Sequence, residues 1–173
     1  MARRRKTSSI GPIDLVFILL AAAGLVFAVI GLFIPWMGSS AAEGNIEGGS
    51  MGLFSEELSK RVDARELLDQ SVLPVGLVQA FAIIGAVLAL VCVAGVVIKA
   101  AKAAKINGLV SLLISIATIA VGVLVAVFSY VLGGDLSTEM GDVSVTSVFP
   151  IVGMYFCAIG TVVSGVMMLL KRN

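Results

Sequence analysis

The sequence contains no histidine, only two cysteines and few charged residues. Of its 173 residues, 13% are charged and 59% are hydrophobic. The lack of histidine removes the commonest general base and the commonest metal ligand. Cys92 and Cys157 both fall inside apolar segments, where we expect them to act as small apolar side chains rather than as a disulfide or a metal-binding pair. The composition therefore disfavours an enzyme, and we expect no metal or other cofactor.

The apolar residues are concentrated in four long blocks, and the mean hydropathy of the chain is +1.11. The blocks cover residues 13–36, 73–98, 106–132 and 148–170. About 20 apolar residues cross a hydrocarbon core about 30 Å thick, and each block reaches that length. Because the blocks are continuously apolar rather than alternating, they favour helices over barrel strands. The sequence predicts an all-α membrane protein, a bundle of four transmembrane helices in contact with the lipid bilayer.

Basic and acidic residues are segregated between the segments that connect the blocks. Nine of the twelve basic residues lie in segments 1–12, 99–105 and 171–173: Arg3, Arg4, Arg5, Lys6, Lys99, Lys102, Lys105, Lys171 and Arg172. The acidic residues are concentrated in the two other connections, 37–72 and 133–147. By the positive-inside rule, the basic segments are cytoplasmic. We therefore predict a multi-pass protein of the plasma (cytoplasmic) membrane with both termini inside and two acidic outer loops.

The basic N-terminus followed by an apolar block has a second interpretation, a secretory signal peptide. The apolar block is longer than the roughly 7–15 residues of a signal-peptide core, and Pro35-Trp36 makes a poor small-residue cleavage site. We expect an uncleaved signal anchor.

Two residues at the ends of the first block have open interpretations. Trp36, the only tryptophan, follows Pro35 at the outer end, where an indole is typical of an anchor at the headgroup level. Asp14 lies near the inner end, beside Pro12, as expected for the first turn of a helix. Since Asp14 is the only ionisable residue near a block interior, a proton or ion site there is a second interpretation.

The third block contains a stripe of small and hydroxyl-bearing residues at alternating steps of four and three. Such a seam lets two helices approach closely, so we expect this face to pack on another helix. The opposite face, with Leu112, Ile116 and Val123, would face lipid or a larger neighbour. The predicted helix-packing residues are Ser111, Ser115, Thr118 and Gly122, continued by Val125 and Ser129.

Both outer loops contain short segments with strand character. In the first, GNIEGGSMGLF has glycine turns around β-capable pieces, and SEELSKRVDARELLDQ has helical composition with Leu58, Val62 and Leu67 on one face and Glu57 paired with Arg61. In the second, DVSVTSV alternates apolar and polar residues. We predict one small extracytoplasmic β-sheet formed by the two outer loops, burying Leu53 and Phe54.

These features resemble the claudin and peripheral myelin protein superfamily of four-span membrane proteins. Trp36 just after the first span matches one family motif, and Gly52, Leu53 and Phe54 match the Gly-Leu-Trp motif with phenylalanine in place of tryptophan. The family's cysteine pair is absent, and Ser55 and Glu56 stand in that region. The resemblance implies that Val143 and Val145 share a sheet with the first loop, with Trp36, Leu53 and Phe54 beneath it.

Three classes of function follow from these patterns. The first is a non-enzymatic, claudin-like membrane protein that assembles laterally with itself or with another membrane protein through its outer loops. The alternative is a small transporter or channel component, against which stands the scarcity of intramembrane charge. An enzyme comes third, and no nucleic-acid partner is expected.

Overall fold

The computed structural model describes residues 10–41, 50–56, 58–60, 74–102, 106–136 and 146–171. Four helices account for most of this part of the chain, and three short strands lie between them. The helices are α1 (Pro12–Phe33), α2 (Val75–Ala100), α3 (Gly108–Leu136) and α4 (Val152–Leu170). The strands are β1 (Pro35–Ala41), β2 (Ser50–Gly52) and β3 (Thr146–Pro150).

All four helices are long and apolar enough to cross a membrane. This agrees with the predicted number of spans and suggests a multi-pass membrane protein. The least apolar of the four is α4, which is also the one most deeply enclosed by the rest of the protein. The central position of α4 explains its composition, since its glycine, serine and threonine residues contact other helices.

The first helix ends earlier than the sequence predicts. The predicted span runs to residue 36, but α1 ends at Phe33 and Pro35 begins strand β1. Ile34 has extended backbone angles, φ −87° and ψ 163°, as expected for a residue that precedes proline. Trp36 therefore lies in a strand, not on the helix.

The fourth helix begins later than predicted, for a related reason. Residues 148–150, assigned from sequence to the fourth span, belong to strand β3. The apolar character of Val148 and Phe149 fits a strand as well as a helix, and hydropathy does not separate the two. The third helix differs in the other direction, continuing to Leu136, four residues past the predicted end of its span.

The predicted sheet that joins both loops is present. The strand order is β2-β1-β3, and both pairings are antiparallel. In the pairing of β1 with β3, Gly38 lies opposite Phe149. The strand predicted in the second loop extended back to Val143 and Val145, which lie outside the described residues. Because β1 follows α1 and β3 precedes α4, the sheet fixes these two helix ends side by side.

Part of the predicted helix in the first loop is also described. Residues 56 and 58–60 are helical, and Leu58 is buried. The predicted pair of Glu57 and Arg61, and the apolar positions Val62 and Leu67, lie outside the described residues. The ion pair that the structure shows on this turn is between Glu56 and Lys60, at 2.8 Å.

Candidate functional site

The sheet end of the bundle is centred on Trp36, whose side chain is 0% exposed. Its indole N–H donates a hydrogen bond to the carbonyl of Gly31, one turn back in α1. The start of α4 is attached at the same point, since the N–H of Ile151, the residue between β3 and α4, donates to the Trp36 carbonyl at 2.7 Å. An interfacial anchor would be exposed, so that interpretation of Trp36 is wrong. The indole instead connects α1, the sheet and the start of α4.

Close backbone approach at Gly153 makes room for this tryptophan. A Cβ atom at Gly153 would lie 2.6 Å from both the Pro35 carbonyl oxygen and Trp36 Cδ1. Contacts that short are sterically forbidden, so the first turn of α4 needs glycine here. The neighbours of Gly153 are thus the end of α1 and strand β1.

Leu53 and Trp36 belong to one apolar core, called here the sheet-end core. It combines both loops with the ends of the helices, and its loop members are Trp36, Met37, Met51, Leu53, Leu58 and Val148. Gln79, in the first turn and a half of α2, donates from Nε2 to the Leu53 carbonyl at 3.0 Å. The Ser55 hydroxyl donates to the Gly52 carbonyl at 2.8 Å and closes the turn after β2. The first loop is therefore fixed to the bundle by burial and by the hydrogen bond from Gln79, while the bond from Ser55 holds its turn in shape.

Phe54 is exposed, unlike Leu53, its neighbour in the Gly-Leu-Phe motif. The prediction that the sheet buries Phe54 is wrong, because its side chain is 50% exposed. In the tight turn after β2, successive side chains point in different directions, so Leu53 enters the core while Phe54 faces outward. Phe54 borders a shallow cavity of about 190 Å³, and the other lining residues are Leu32, Phe33, Gly52, Leu53 and Ser55. Phe33, 79% exposed, extends this apolar surface to the end of α1.

A second exposed aromatic residue of the sheet end is Phe149 in β3. Its ring lies across Gly38, the cross-strand partner, where a Cβ atom would be 3.1 Å from ring atom Cε2. Gly38 is buried under this ring and under Ile151. Phe149 itself remains about half exposed. The sheet end thus presents Phe33, Phe54 and Phe149 to its surroundings.

The seam of α3 lies inside the bundle. Ser111, Ser115, Thr118, Gly122, Val125 and Ser129 are all buried. The opposite residues Leu112, Ile116 and Val123 are about half exposed. At Gly122 a Cβ atom would lie 2.8 Å from Val162 Cγ2 and 3.0 Å from the Ala158 carbonyl oxygen. The seam therefore packs against α4.

Three of the four seam hydroxyls donate to backbone carbonyls of their own helix. Ser115, Thr118 and Ser129 each donate to the carbonyl four residues earlier, at 2.8, 2.7 and 2.6 Å. Thr118 also contacts Cys92 Sγ at 3.2 Å across the interface with α2. Back-bonded hydroxyls lower the cost of burying a polar group without requiring a ligand. This favours a packing role for the seam.

The interface between α1 and α4 is formed by glycine and serine. A Cβ atom at Gly24 would lie 2.6 Å from Ser164 Oγ, and one at Gly31 would lie 2.5 Å from the Cys157 nitrogen. Ser164 donates to the Ala21 carbonyl on α1 at 3.1 Å. The backbones of these two helices are therefore in direct contact over several turns.

The opposite end of the bundle, called here the charged end, contains Asp14. The Asp14 carboxylate forms an ion pair with Lys171, just after α4, and the two side chains are 23% and 13% exposed. Lys171 also lies 5.8 Å from the centre of the Phe17 ring. A paired carboxylate at the end of the bundle explains Asp14 as a link between α1 and α4.

Lys99 is a structural residue of the charged end that the sequence interpretation missed. Its ammonium group donates to Ser111 Oγ at 2.5 Å, to the Lys171 carbonyl at 2.9 Å and to the Met168 carbonyl at 3.3 Å. It thereby joins α2 to α3 and caps the last carbonyls of α4, which accept a cation favourably. From sequence, Lys99 was counted only as a cytoplasmic charge. Nothing in its local sequence indicates contacts with residues 69 and 72 positions away.

The described part of the chain offers no ligand set of three or more cysteine or acidic residues for a metal ion. Cys92 and Cys157 are reduced and buried. The described residues do form a surface at the sheet end, where short strands and exposed aromatic side chains lie on a closely packed helical bundle. Such a surface can bind another protein or lipid by contact.

Scans against protein-family models, curated proteins and solved structures each find no match to this chain.

Proposed function

We propose that the chain is a non-enzymatic, multi-pass membrane protein that assembles laterally, with a second copy or with another membrane protein, through its sheet end. The observation that carries the proposal is the joining of both loops into one three-stranded sheet over a buried tryptophan. The two loops bury Met51, Leu53 and Val148 together, and the phenylalanines at the end of α1, after β2 and in β3 remain exposed around them.

The proposed orientation places the charged end in the cytoplasm and the sheet outside. Lys99, Lys102 and Lys171 lie at the charged end of the described chain, with Asp14 as one partner. Juxtamembrane lysine is typical of the cytoplasmic side. The plasma membrane is the proposed location, in which the sheet would meet partners in the same bilayer.

In this proposal the arrangement of the helices and outer loops is claudin-like. The family-type motif residues Trp36 and Leu53 lie in one core, and the second loop contributes one strand to the sheet of the first. The exposed Phe54 then takes the position of a contact residue, at the border of the cavity beside Phe33. An aromatic side chain on the rim of an apolar cavity is typical of protein contacts.

The close packing of the bundle supports a contact role over a conducting one. The α1–α4 interface brings backbone against backbone at Gly24 and Gly31. The seam hydroxyls of Ser115, Thr118 and Ser129 are bonded within α3. Neither arrangement provides a row of polar groups directed at a pathway, which solute transport needs.

The proposal is tested by crosslinking single-cysteine variants in native membranes. Phe54→Cys labels the sheet end, and Leu109→Cys, at a 64% exposed residue of α3 near the charged end, is the matched control. The native thiols are buried and contribute little reaction with a short bis-maleimide. We expect a discrete crosslinked product from Phe54→Cys, and mass spectrometry would identify it as a homodimer or a heteromer.

The result is compared with the control at equal expression. Equal crosslinking from Leu109→Cys would indicate random collision and overturn the proposed role of the sheet end. Absence of any product from Phe54→Cys and from a second sheet-end variant, Phe149→Cys, would have the same consequence.

A further inference from the structure

Each of the four helices has an outward face of large apolar side chains. Examples that are about half exposed are Leu19 and Val26 on α1, Ile84 and Leu90 on α2, Ile116 and Val123 on α3, and Ile159 on α4. Because every helix contributes, this apolar belt surrounds the bundle instead of forming one patch. A belt of this kind fits lipid chains rather than a single protein partner.

A pair of tyrosines interrupts the belt near the sheet end. The hydroxyls of Tyr130 on α3 and Tyr155 on α4 are hydrogen-bonded to each other, and both side chains are about half exposed. Tyrosine combines an apolar ring with a polar tip and is enriched at the membrane–water interface. This pair therefore marks a headgroup level on the outward surface.

The charged end bounds the belt on the other side. All four helices contribute a polar group there: Asp14 from α1, Lys99 from α2, Ser111 from α3 and the C-terminal carbonyls of α4, followed by Lys171. Charges at a helix end belong at or beyond the headgroup level, because burying them in hydrocarbon is costly.

The spacing of the two polar levels can be measured along the helices. Sixteen residues separate Tyr155 from Lys171. Nineteen separate Tyr130 from Ser111, a buried residue that marks the level of the Lys99 ammonium bonded to it. At about 1.5 Å per residue these intervals are about 24 Å and 28 Å. Both are shorter than the roughly 30 Å of a typical hydrocarbon core.

We propose that the bundle is matched to a thin bilayer, with a hydrocarbon core of about 24–28 Å between these two polar levels, and that the sheet stands clear of the hydrocarbon. This proposal rests on the membrane insertion proposed above, but not on lateral assembly. It gives the bilayer thickness that the belt fits and the depth at which the sheet meets a partner.

The ends of α2 and α3 support the second part of the proposal. Helix α3 continues six residues beyond Tyr130 to Leu136, and there it packs on β3, with the Gly133 Cβ position 3.1 Å from the Val148 carbonyl oxygen. The first turns of α2 hold the first loop through Gln79 and Leu53. The sheet is thus supported by helix ends that lie above the tyrosine level.

Spin labels along one exposed helix face test the depth. Single cysteines at Ile116, Val123 and Val131 of α3, and at Phe149 of the sheet, would be labelled in the full-length protein at a high lipid-to-protein ratio. Accessibility to oxygen against a water-soluble nickel chelate reports depth. We expect Ile116 and Val123 to be deep, Val131 to lie at the headgroup level and Phe149 to be in water.

The possible outcomes separate the two proposals. Nickel access at Val123 would overturn membrane insertion and this inference together. Labels at Val131 or Phe149 as deep as Val123 would overturn the inference alone, and lateral assembly would still be decided by crosslinking. The double variant Tyr130→Phe, Tyr155→Phe should let Val131 sink deeper, and an unchanged depth would refute the pair as a boundary.

Bilayers of increasing acyl-chain length give an independent test. We expect the thermal midpoint of the full-length protein to be highest where the hydrocarbon core is about 24–28 Å and to fall in thicker bilayers, because mismatch has a cost per ångström. A midpoint that keeps rising in bilayers thicker than about 32 Å would overturn the proposed match.

Discussion

The two ends of the bundle are held together by different kinds of contact. At the sheet end, the large side chains of Trp36, Met37, Met51 and Leu53 are fully enclosed, and strands from both loops pair above them. At the charged end, Lys99 and the pair of Asp14 and Lys171 connect the helices through hydrogen bonds and charge. The loops share a core with the helix ends, because three short strands bury too little apolar surface to be stable by themselves. At the charged end the helices already pack on one another, so polar side chains are needed only to join the helix ends and to cap the last carbonyls of α4.

The largest effect is expected from removing the centre of the sheet end. Trp36→Ala deletes a fully buried indole and its hydrogen bond to Gly31. Large-to-small core substitutions of this kind cost about 3–5 kcal/mol of unfolding free energy. Thermal or denaturant unfolding in detergent, followed by circular dichroism, gives the measurement.

The matched control for that change is Phe33→Ala, which removes an aromatic side chain that is mostly exposed. It should leave the unfolding free energy nearly unchanged. Equal decreases in unfolding free energy from both variants would mean that Trp36 does not organise a core.

A smaller effect is expected in the middle of the bundle. Gly122→Leu forces a side chain against Val162 and the Ala158 carbonyl, and overpacking of this kind costs about 1–3 kcal/mol. Val123→Ala, one position along, trims a half-exposed side chain and should have little effect. Indistinguishable thermal midpoints for the two variants would contradict the assignment of faces on α3.

The smallest of the three effects is expected at the charged end. Lys99→Met removes a donor to Ser111 and to two carbonyls of the α4 terminus. Hydrogen bonds to a charged group contribute about 1.5–3 kcal/mol when buried, and the partial exposure of Lys99 lowers this to about 1 kcal/mol. The same unfolding measurement in detergent applies.

Lys60→Met provides the control for Lys99 at the sheet end. Lys60 pairs with Glu56, and both side chains are largely exposed. Lys60→Met should therefore leave the unfolding free energy almost unchanged. If Lys60→Met lowered the unfolding free energy as much as Lys99→Met, the polar contacts of the charged end would have no special role in stability.

Several elements of the fold follow from local sequence alone. Four apolar blocks predict four helices because a continuous apolar run of this length has few other stable arrangements in lipid. The period of the third block predicts which face of α3 packs, and Ser115 and Gly122 lie on the buried side. Glycine turns and alternating apolar residues predict strands in both loops, although the sequence assigned Pro35 and residues 148–150 to the spans and so missed the limits of β1 and β3. Each of these patterns lies in the local sequence, so it can be recognised without knowing which elements contact one another in the fold.

Other features depend on which elements meet in space. Trp36 follows an apolar span, and that position is equally typical of a lipid anchor and of a core residue. Its burial is decided by Gly153, more than a hundred residues away, whose lack of a side chain leaves room for the ring. Phe54 resembles Leu53 in hydropathy, yet the turn after β2 directs the two side chains to opposite environments.

The sequence by itself determined the number of helices, the packed face of α3 and the presence of strands in both loops, because hydrophobic periodicity and turn residues act locally. Only the tertiary structure decided between the two interpretations of Trp36, an exposed anchor or a residue beneath the sheet, and showed that Lys99 caps α4 and that Asp14 is paired with Lys171. Each of these contacts joins residues distant in the chain. Their partners are set by the packing of α1, α2 and α4, and no local pattern specifies that packing.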